Sequence, residues 1–478
     1  MPRARETSIR AEGRRDRDEE PTSGAAKPEP VVLAQTAEAA NEPEMPFVEG
    51  RWRSYKERVA SLADRVTEAQ RPIRILNALK WEGNVWDNFR RSRFKEPPRI
   101  DADWYSRVEL GFDPVARGRD FQDLADSVRR ELGDDDALAR ILGATCLEYR
   151  DVCAMLTVRG TPEFHAYSRR LYGSPKDTFP DGHTTVREIA HTLYNLLNSL
   201  DEPTLGLQPP RDLEGAQVVD ILQGRFTKYF GESAVNVAID DGIIADAAAG
   251  GDYVKIRGGA RFSQVDVDIL EVHEGWVHVA TSLNGAQQHV ARWLSKGPPR
   301  TTSVQEGLAV LMEVLTFRSH PRRARRLNER VIAIDKAEDG ADFLDIFEWH
   351  RTEGYEEEEC FNAARRVFRG GTLGGGSPFT KDISYTKGLV SNYHFIRSAI
   401  RAARPELVRF LFVGKVAHED VPVLWSRVAD GVVRPPKFLP PLFSDLNGLA
   451  IWMAYSTFFS QMGFQEMFDY YARLFRQA

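Results

Sequence analysis

Apolar residues recur at helical spacing through the first half of the chain. One series, with members three or four positions apart, is formed by Tyr55, Val59, Leu62 and Val66. A second series occurs later in this half and is formed by Ile189, Leu193, Leu196 and Leu197. Spacing of this kind places apolar side chains on one face of a helix. We therefore predict a mainly helical region over residues 46–225.

The pattern changes to alternation between residues 234 and 257. The apolar positions of this stretch are Val235, Val237, Ile239, Tyr253, Val254 and Ile256. Tyr253, Val254 and Ile256 follow a pair of glycines, Gly250 and Gly251. Alternation is typical of short strands, and a double glycine favours a tight turn. We predict short strands joined by a hairpin.

A long helix is predicted directly after these strands. Ser263 and Asp266 have the spacing of a capping box, in which each side chain bonds the backbone N–H of the other residue. Val267, Leu270 and Val277 then continue along roughly one side of the helix. The predicted fold class is α+β and mostly helical, with a small β-sheet packed beside this helix.

The predicted helix carries a candidate metal-binding motif, because residues 273–278 read His-Glu-Gly-Trp-Val-His. His273 and His278 supply two imidazole ligands, and Glu274 supplies a carboxylate that can take a proton from water. Metallopeptidase histidines are usually four positions apart, whereas these are five apart. In an α-helix the extra residue turns the second ligand by about 100°. A π-type turn restores convergence, and Gly275 makes it easier to form. The alternative is that both histidines are ordinary helix residues.

A hydrolytic zinc site commonly adds one carboxylate to two histidines. The leading candidate is Glu306, near the start of a helix predicted to begin at Thr302 or Ser303. The alternative is a capping box, in which Glu306 only closes the first helical turn with Ser303. Glu313 and Glu271 are fallback ligands.

Composition narrows the class of protein. The chain has 478 residues, 42% of them hydrophobic and 28% charged, which is ordinary for a folded protein. A net charge of −6 argues against nucleic acid as the main partner. The three cysteines are too few for a disulfide framework and favour a cytoplasmic location, and no apolar run is long enough to span a membrane.

Changes in composition along the chain divide it into four predicted regions. Residues 1–45 form a disordered tail, because they are rich in charge and proline and nearly lack aromatic residues. The helical region 46–225 follows, and residues 226–400 form a metallopeptidase-like catalytic core. A C-terminal helical region, 401–478, completes the chain.

Two motifs together resemble a known family. The histidine motif is followed by Gln-Glu-Gly-Leu-Ala at residues 305–309 and by Phe-Thr-Lys-Asp at residues 379–382, with Tyr385 close behind. This combination resembles the bacterial family named for its QEGLA motif and for modulating flavohaemoglobin expression. That family is similar in turn to the eukaryotic tubulin tyrosine carboxypeptidases, which share the five-spaced histidines.

The resemblance implies roles for individual residues. It implies that His273, His278 and Glu306 are zinc ligands and that Glu274 is the catalytic glutamate. Other positions that match the shared pattern are Asn284, Arg366, Arg369, Lys381, Asp382 and Tyr385. Of these we assign Tyr385 to catalysis and Asn284, Arg366, Arg369 and Lys381 to substrate binding. The alternative for Lys381 and Asp382 is a structural ion pair.

The chemistry of a carboxypeptidase supports three of these assignments. Arg366 and Arg369, three positions apart on a predicted helix, can hold a terminal carboxylate with a bidentate fork. Their alternative is a solvated helix face. Tyr385 can donate its hydroxyl to the oxyanion of a tetrahedral intermediate, although core tyrosines are also common. The basic cluster Arg322, Arg323, Arg325 and Arg326 is also read as a solvated face.

The function predicted from the sequence is a zinc-dependent peptidase, a carboxypeptidase acting on peptide or protein C-termini. Its cofactor is Zn²⁺, and its partner is the substrate's C-terminus, with neither nucleic acid nor membrane involved. An edge strand of the small sheet is expected to face the cleft and pair with extended substrate. The alternative is a non-catalytic protein that regulates the expression of another protein. The intact Glu274 favours the enzyme.

Overall fold

The computed structural model describes residues 46–200, 205, 210–243, 245–459, 471 and 473. The predicted tail, residues 1–45, lies outside the described residues, as does most of the sequence after residue 459. Among the helices of the described part, none combines the length and the apolar character needed to cross a bilayer.

The first half of the described chain is helical, as predicted. Its helices are α1 (Pro46–Gln70), α2 (Ile75–Ala78), α3 (Val85–Arg91), α4 (Ala102–Ser106), α5 (Pro114–Leu132), α6 (Ala137–Thr157), α7 (Glu163–Tyr172), α8 (Val186–Asn198) and α9 (Gly215–Phe230). Val59, Leu62 and Val66 of α1 are fully buried, so the first apolar series marks the inner face of this helix. In α8, by contrast, Leu196 is 55% exposed.

Short strands separate α9 from the next helix. They are β2 (Asn236–Ile239), β3 (Ala247–Ala249), β4 (Tyr253–Ile256) and β5 (Arg261–Phe262), and a further strand, β1 (Leu213–Glu214), lies just before α9 and pairs with β5. The main sheet has the order β2-β4-β3, with β2 parallel and β3 antiparallel to β4. The predicted hairpin at the double glycine exists, but its first strand is β3. The prediction missed β3 because three consecutive alanines carry no alternation.

The second half returns to helices. They are α10 (Gln264–Leu270), a π-helix (Glu271–Val279), α11 (Ala280–Ala286), α12 (Thr302–Leu315), α13 (Pro321–Glu338), α14 (Phe343–Thr352), α15 (Glu357–Phe368), α16 (Ser384–Arg401), α17 (Pro405–Phe410), α18 (Val421–Ser426), α19 (Pro441–Ser444) and α20 (Asn447–Phe459). Short 3₁₀ segments lie at Arg292–Ser295, Pro299–Thr301, Thr380–Ile383 and His418–Asp420. The predicted capping box opens α10, since Ser263 Oγ accepts from the Asp266 N–H and Asp266 accepts in return from Ser263.

One large apolar core joins distant parts of the chain. It contains Leu142 of α6, Leu308 of α12 and Val416 beyond α17. A separate cluster packs the small sheet, through Val254 and Ile256, against α9 and α10. The fold class is therefore α+β and mostly helical, as predicted. The boundaries at residues 225 and 400 stay a prediction.

Two glycines set the distance between α12 and α16. A Cβ on Gly307 would lie 1.9 Å from the carbonyl carbon of Gly388, and a Cβ on Gly388 would lie 1.8 Å from the Ser303 carbonyl oxygen. No side chain larger than hydrogen fits at either position, so the two backbones touch. This contact brings the start of α16 next to Glu306.

Candidate metal centre

The π-helix brings the two motif histidines together. It runs over Glu271–Val279, so the predicted π-type turn is confirmed and is longer than a single-residue bulge. The imidazole centroids of His273 and His278 lie 5.0 Å apart with their planes at 77°. Gly275 has a packing role here as well, because a Cβ would lie 2.2 Å from the ring of Phe226.

Glu306 faces both histidines from α12. Its Oε2 lies 3.9 Å from His273 Nε2 and 3.6 Å from His278 Nε2. Its Oε1 accepts a hydrogen bond of 2.8 Å from Lys381 Nζ. The alternative capping role is wrong, because the N-cap of α12 is Thr301 and no side chain caps this helix.

The donor set fits zinc. Ligand atoms of His273, His278 and Glu306 all lie within 4.8 Å of one another, and in the described residues no other group of three such side chains does so. Tetrahedral zinc with bonds of about 2.0–2.1 Å separates its ligand atoms by about 3.3 Å. The distances from Glu306 Oε2 to the two imidazole nitrogens, 3.9 and 3.6 Å, exceed this value slightly, so small side-chain movements would bring the carboxylate into the shell. Two imidazoles and one carboxylate leave a fourth position open.

A carboxylate behind the site orients His273. Glu313 Oε1 lies 2.6 Å from His273 Nδ1, which leaves Nε2 directed toward Glu306. Arg323 bonds both oxygens of Glu313, at 2.6 Å each. Burial works to raise the pKa of Glu313, but Arg323 and His273 lower it to about 2. Burial also works to lower the pKa of His273, and Glu313 raises it overall. Glu313, predicted as a fallback ligand, thus holds the candidate ligand His273 in place.

The other fallback ligand lies outside the cluster. Glu271 Oε2 bonds Arg225 at 2.8 Å and Arg318 at 2.7 Å. The basic cluster that contains Arg323 does not form one solvated face, because Arg323 is only partly exposed and pairs with the buried carboxylate of Glu313. Sequence reasoning missed Arg323, since an arginine run gives no sign of which member turns inward.

Glu274 is held by the small sheet. Its Oε2 accepts a hydrogen bond of 3.0 Å from the backbone N–H of Ala249, in β3. In the described residues its other oxygen accepts no hydrogen bond. The carboxylate is therefore fixed on one side and available on the other.

Lys381, Asp382 and Tyr385 lie where the 3₁₀ turn Thr380–Ile383 leads into α16. Lys381 pairs with Glu306, whereas Asp382 Oδ2 accepts from Arg366 Nε at 2.7 Å. The alternative ion pair between Lys381 and Asp382 is therefore wrong. Burial works to raise the pKa of Glu306, yet Lys381 and the two imidazoles hold it well below its usual range.

Tyr385 is buried, with its ring 5.8 Å from Lys381 Nζ. Burial and the nearby Glu306 charge raise the pKa of its hydroxyl, so the phenol stays protonated at neutral pH. Within the described chain this hydroxyl makes no hydrogen bond. It is therefore a free donor close to the candidate ligands.

The two arginines assigned to substrate binding are buried, so the alternative of a solvated helix face is wrong. Their side chains are 19% exposed for Arg366 and 4% exposed for Arg369. Both face Asp382, Arg366 through its hydrogen bond and Arg369 at 4.0 Å. Burial works to raise the pKa of Asp382, but the charges of Arg366, Arg330 and Arg369 hold it well below its usual range.

Asn284 lies away from this cluster and is saturated by backbone groups. Its amide nitrogen donates to the carbonyls of Phe412 and Phe438, and its oxygen accepts from the N–H groups of Lys437 and Phe438. These contacts fasten α11 to the segment before α19. We therefore leave Asn284 out of the proposed substrate site.

Two further basic residues lie beside the site. Lys415 Nζ donates to the His278 carbonyl oxygen at 3.0 Å, and also to Thr281 Oγ1 and Gln305 Oε1. Burial lowers the pKa of Lys415 to about 7. Arg330 of α13 lies over the ring of Tyr385, 4.6 Å from its centroid. Neither residue belongs to a motif, so no sequence signal points to them.

Together these features define a mostly helical α+β protein with a two-histidine, one-carboxylate donor set on a π-helix and an adjacent glutamate. A model of the microtubule-associated tyrosine carboxypeptidase family matches residues 87–461. The match includes the whole candidate site and most of the chain, and the protein belongs to this family. The relationship to tubulin tyrosine carboxypeptidases expected from the two motifs is thus confirmed. No curated protein matches the chain.

Proposed function

We propose that the protein is a zinc-dependent carboxypeptidase that removes residues from the C-termini of peptides or proteins. One observation carries the proposal: His273, His278 and Glu306 converge beside Glu274, in a chain of the tyrosine carboxypeptidase family. An open zinc site of this composition polarises the substrate carbonyl and lowers the pKa of water when the metal is bound.

Glu274 is the proposed general base. The Ala249 N–H holds its Oε2, so Oε1 is the oxygen that accepts a proton from the attacking water. The same carboxyl group then delivers that proton to the amine that leaves when the C–N bond breaks. A glutamate with one oxygen anchored and one free is suited to both transfers.

Tyr385 is the proposed oxyanion donor. Its hydroxyl remains protonated because its pKa is raised, and it makes no hydrogen bond within the described residues. It can therefore donate to the carbonyl oxygen as negative charge develops there. Lys381 has a positioning role, since its bond to Glu306 Oε1 leaves Oε2 as the oxygen that faces the histidines.

The outer edge of β3 is the proposed main-chain dock for the substrate. Gly250 pairs with Tyr253 and Asp246 with Arg257 by hydrogen bonds, so Ala247 and Ala249 lie at positions where the backbone points away from β4. The Ala249 N–H reaches Glu274 on this edge. An extended peptide that pairs with Ala247 would therefore pass the general base.

The family description makes a C-terminal tyrosine the first substrate to test. Any such substrate is a peptide or protein, and we propose no nucleic-acid or membrane partner. We also propose a cytoplasmic location, because Cys146, Cys153 and Cys360 are free and buried.

The test compares wild type with Glu274→Gln on peptides that end in different residues. Mass spectrometry should show stepwise loss of C-terminal residues with the zinc-loaded wild type. Glu274→Gln should keep its zinc and fold but lose about 10²- to 10⁴-fold in rate. Unchanged activity of the variant would show that Glu274 is not the base. A wild type inactive on every peptide would favour the regulatory alternative.

A further inference from the structure

Arg330 differs from the other basic side chains around the candidate site, because its guanidinium has neither a hydrogen bond nor an ion pair with an acidic partner in the described part of the chain. Each of three neighbours has one: Arg323 bonds Glu313, Arg366 bonds Asp382 and Lys381 bonds Glu306. Within the described residues Arg330 makes no hydrogen bond and no ion pair. Its guanidinium rests on the face of the Tyr385 ring, 4.6 Å from the centroid.

An unpaired arginine in this setting is costly. Burial and the neighbouring Arg366 charge lower the pKa of Arg330, although Tyr385 and Asp382 work to raise it. Removing a cation from water without a partner disfavours the folded state. A partner from outside the chain would relieve this cost, and the missing partner must be an anion with a shape that matches a guanidinium, such as a carboxylate.

The position of Arg330 relates it to the candidate metal centre. Tyr385 connects the two: Arg330 covers its ring, and Lys381, which bonds Glu306, lies 5.8 Å from the centroid of the same ring. In a carboxypeptidase substrate the terminal carboxylate and the scissile carbonyl belong to consecutive residues, whose Cα atoms are about 3.8 Å apart. A site for the terminal carboxylate must therefore be close to the proposed oxyanion donor, as Arg330 is.

We propose that Arg330 binds the α-carboxylate of the substrate's last residue, and so selects chain ends over internal peptide bonds. This assignment rests on the proposed carboxypeptidase function. It differs from the assignment made from the sequence, in which Arg366 and Arg369 have this role. Those two side chains face Asp382, and Arg369 is only 3% exposed. They are engaged with Asp382, whereas the Arg330 guanidinium makes no hydrogen bond or ion pair with the described residues and can receive an anion.

The test uses two variants of Arg330 and one matched control. Arg330→Met removes the charge, and Arg330→Lys keeps the charge without the fork. Arg326→Met is the control, because Arg326 lies one turn earlier on α13, is 43% exposed and pairs with Glu359. The substrate is one peptide in two forms, with a free terminal carboxylate and with a terminal amide. The readouts are kcat and KM for each form, zinc content and Tm.

Wild type should cleave the free acid in preference to the amide. Arg330→Met should lose about 10- to 100-fold in kcat/KM on the free acid and little on the amide. The kcat/KM of Arg330→Lys on the free acid should lie between those of wild type and Arg330→Met. The kcat/KM of Arg326→Met should match that of wild type. The Tm of Arg330→Met should equal or exceed that of wild type, because the substitution leaves no acidic side chain without its ion-pair partner. If Arg330→Met kept the full preference for the free acid, the proposal would be overturned.

Failure of the proposed function gives a different result. If wild type cleaves neither peptide, equilibrium binding of both forms to the zinc-loaded protein still decides the role of Arg330. If wild type binds the free acid more tightly than the amide and this difference disappears in Arg330→Met, the carboxylate site is supported. The proposed hydrolase activity is then contradicted. Equal binding of both forms to wild type overturns the site as well.

Discussion

Glu313 Oε1 lies 2.6 Å from His273 Nδ1, although the two residues are forty positions apart in the sequence. This hydrogen bond fixes the tautomer and the orientation of the ring, so that Nε2 is presented to the metal position. We predict that Glu313→Gln weakens zinc binding by about 10- to 100-fold, because the amide keeps the shape of the side chain but loses the charge. Competition with a zinc chelator measures this affinity.

The control for this prediction is Glu271→Gln. Glu271 lies on the same π-helix, but it pairs with Arg225 and Arg318 and contacts neither histidine. The zinc affinity of Glu271→Gln should stay near that of wild type. Equal zinc affinities for wild type and Glu313→Gln would show that Glu313 does not support the ligand.

The close crossing of α12 and α16 makes a prediction about stability. In Gly307→Ala the new methyl group would lie 1.9 Å from the Gly388 carbonyl carbon, so the helices must separate. We expect a loss of about 1–3 kcal/mol in the free energy of unfolding, or more. Gly143→Ala in α6 is the control, because a Cβ there meets nothing within 4 Å. Urea unfolding of both variants tests this, and equal stabilities would contradict the crossing.

Much of the centre itself could be predicted from the sequence. The five-residue spacing of His273 and His278 has one local solution that makes them converge, and the structure has that π-helix. Glu306 is predicted as the third ligand from the residue types that a hydrolytic site needs. Its carboxylate lies within 4 Å of both imidazoles. Local motifs contain this information, because the spacing of two residues along a helix fixes the directions in which their side chains point.

The surroundings of the centre could not be predicted in the same way. The bond between Arg323 and Glu313 and the contact between Arg330 and Tyr385 join separate elements, and neither follows a local spacing. β3 was missed because alanine is small and favours neither face of a strand. Arg369 looked available in the sequence but is buried, since it lies at the C-terminal end of α15, where the chain turns inward.

The bond between Ala249 and Glu274 predicts a kinetic effect. Ala249→Pro removes the N–H that holds Glu274, on the strand edge where the ladder to β4 does not use it. We expect kcat to fall by at least about tenfold, with zinc retained, because the base loses its alignment. Ala249→Gly keeps the N–H and should retain activity. A proline variant as active as the glycine variant would show that this bond does not position the base.

The proposed function depends most on the three candidate metal ligands, and anomalous diffraction tests them directly. Crystals grown with zinc would be measured on both sides of the zinc absorption edge. We predict one strong peak per chain among the described residues, with His273 Nε2, His278 Nε2 and a Glu306 oxygen at about 2.0–2.2 Å. No peak at this position, or a peak that either histidine does not contact, would contradict the proposed centre.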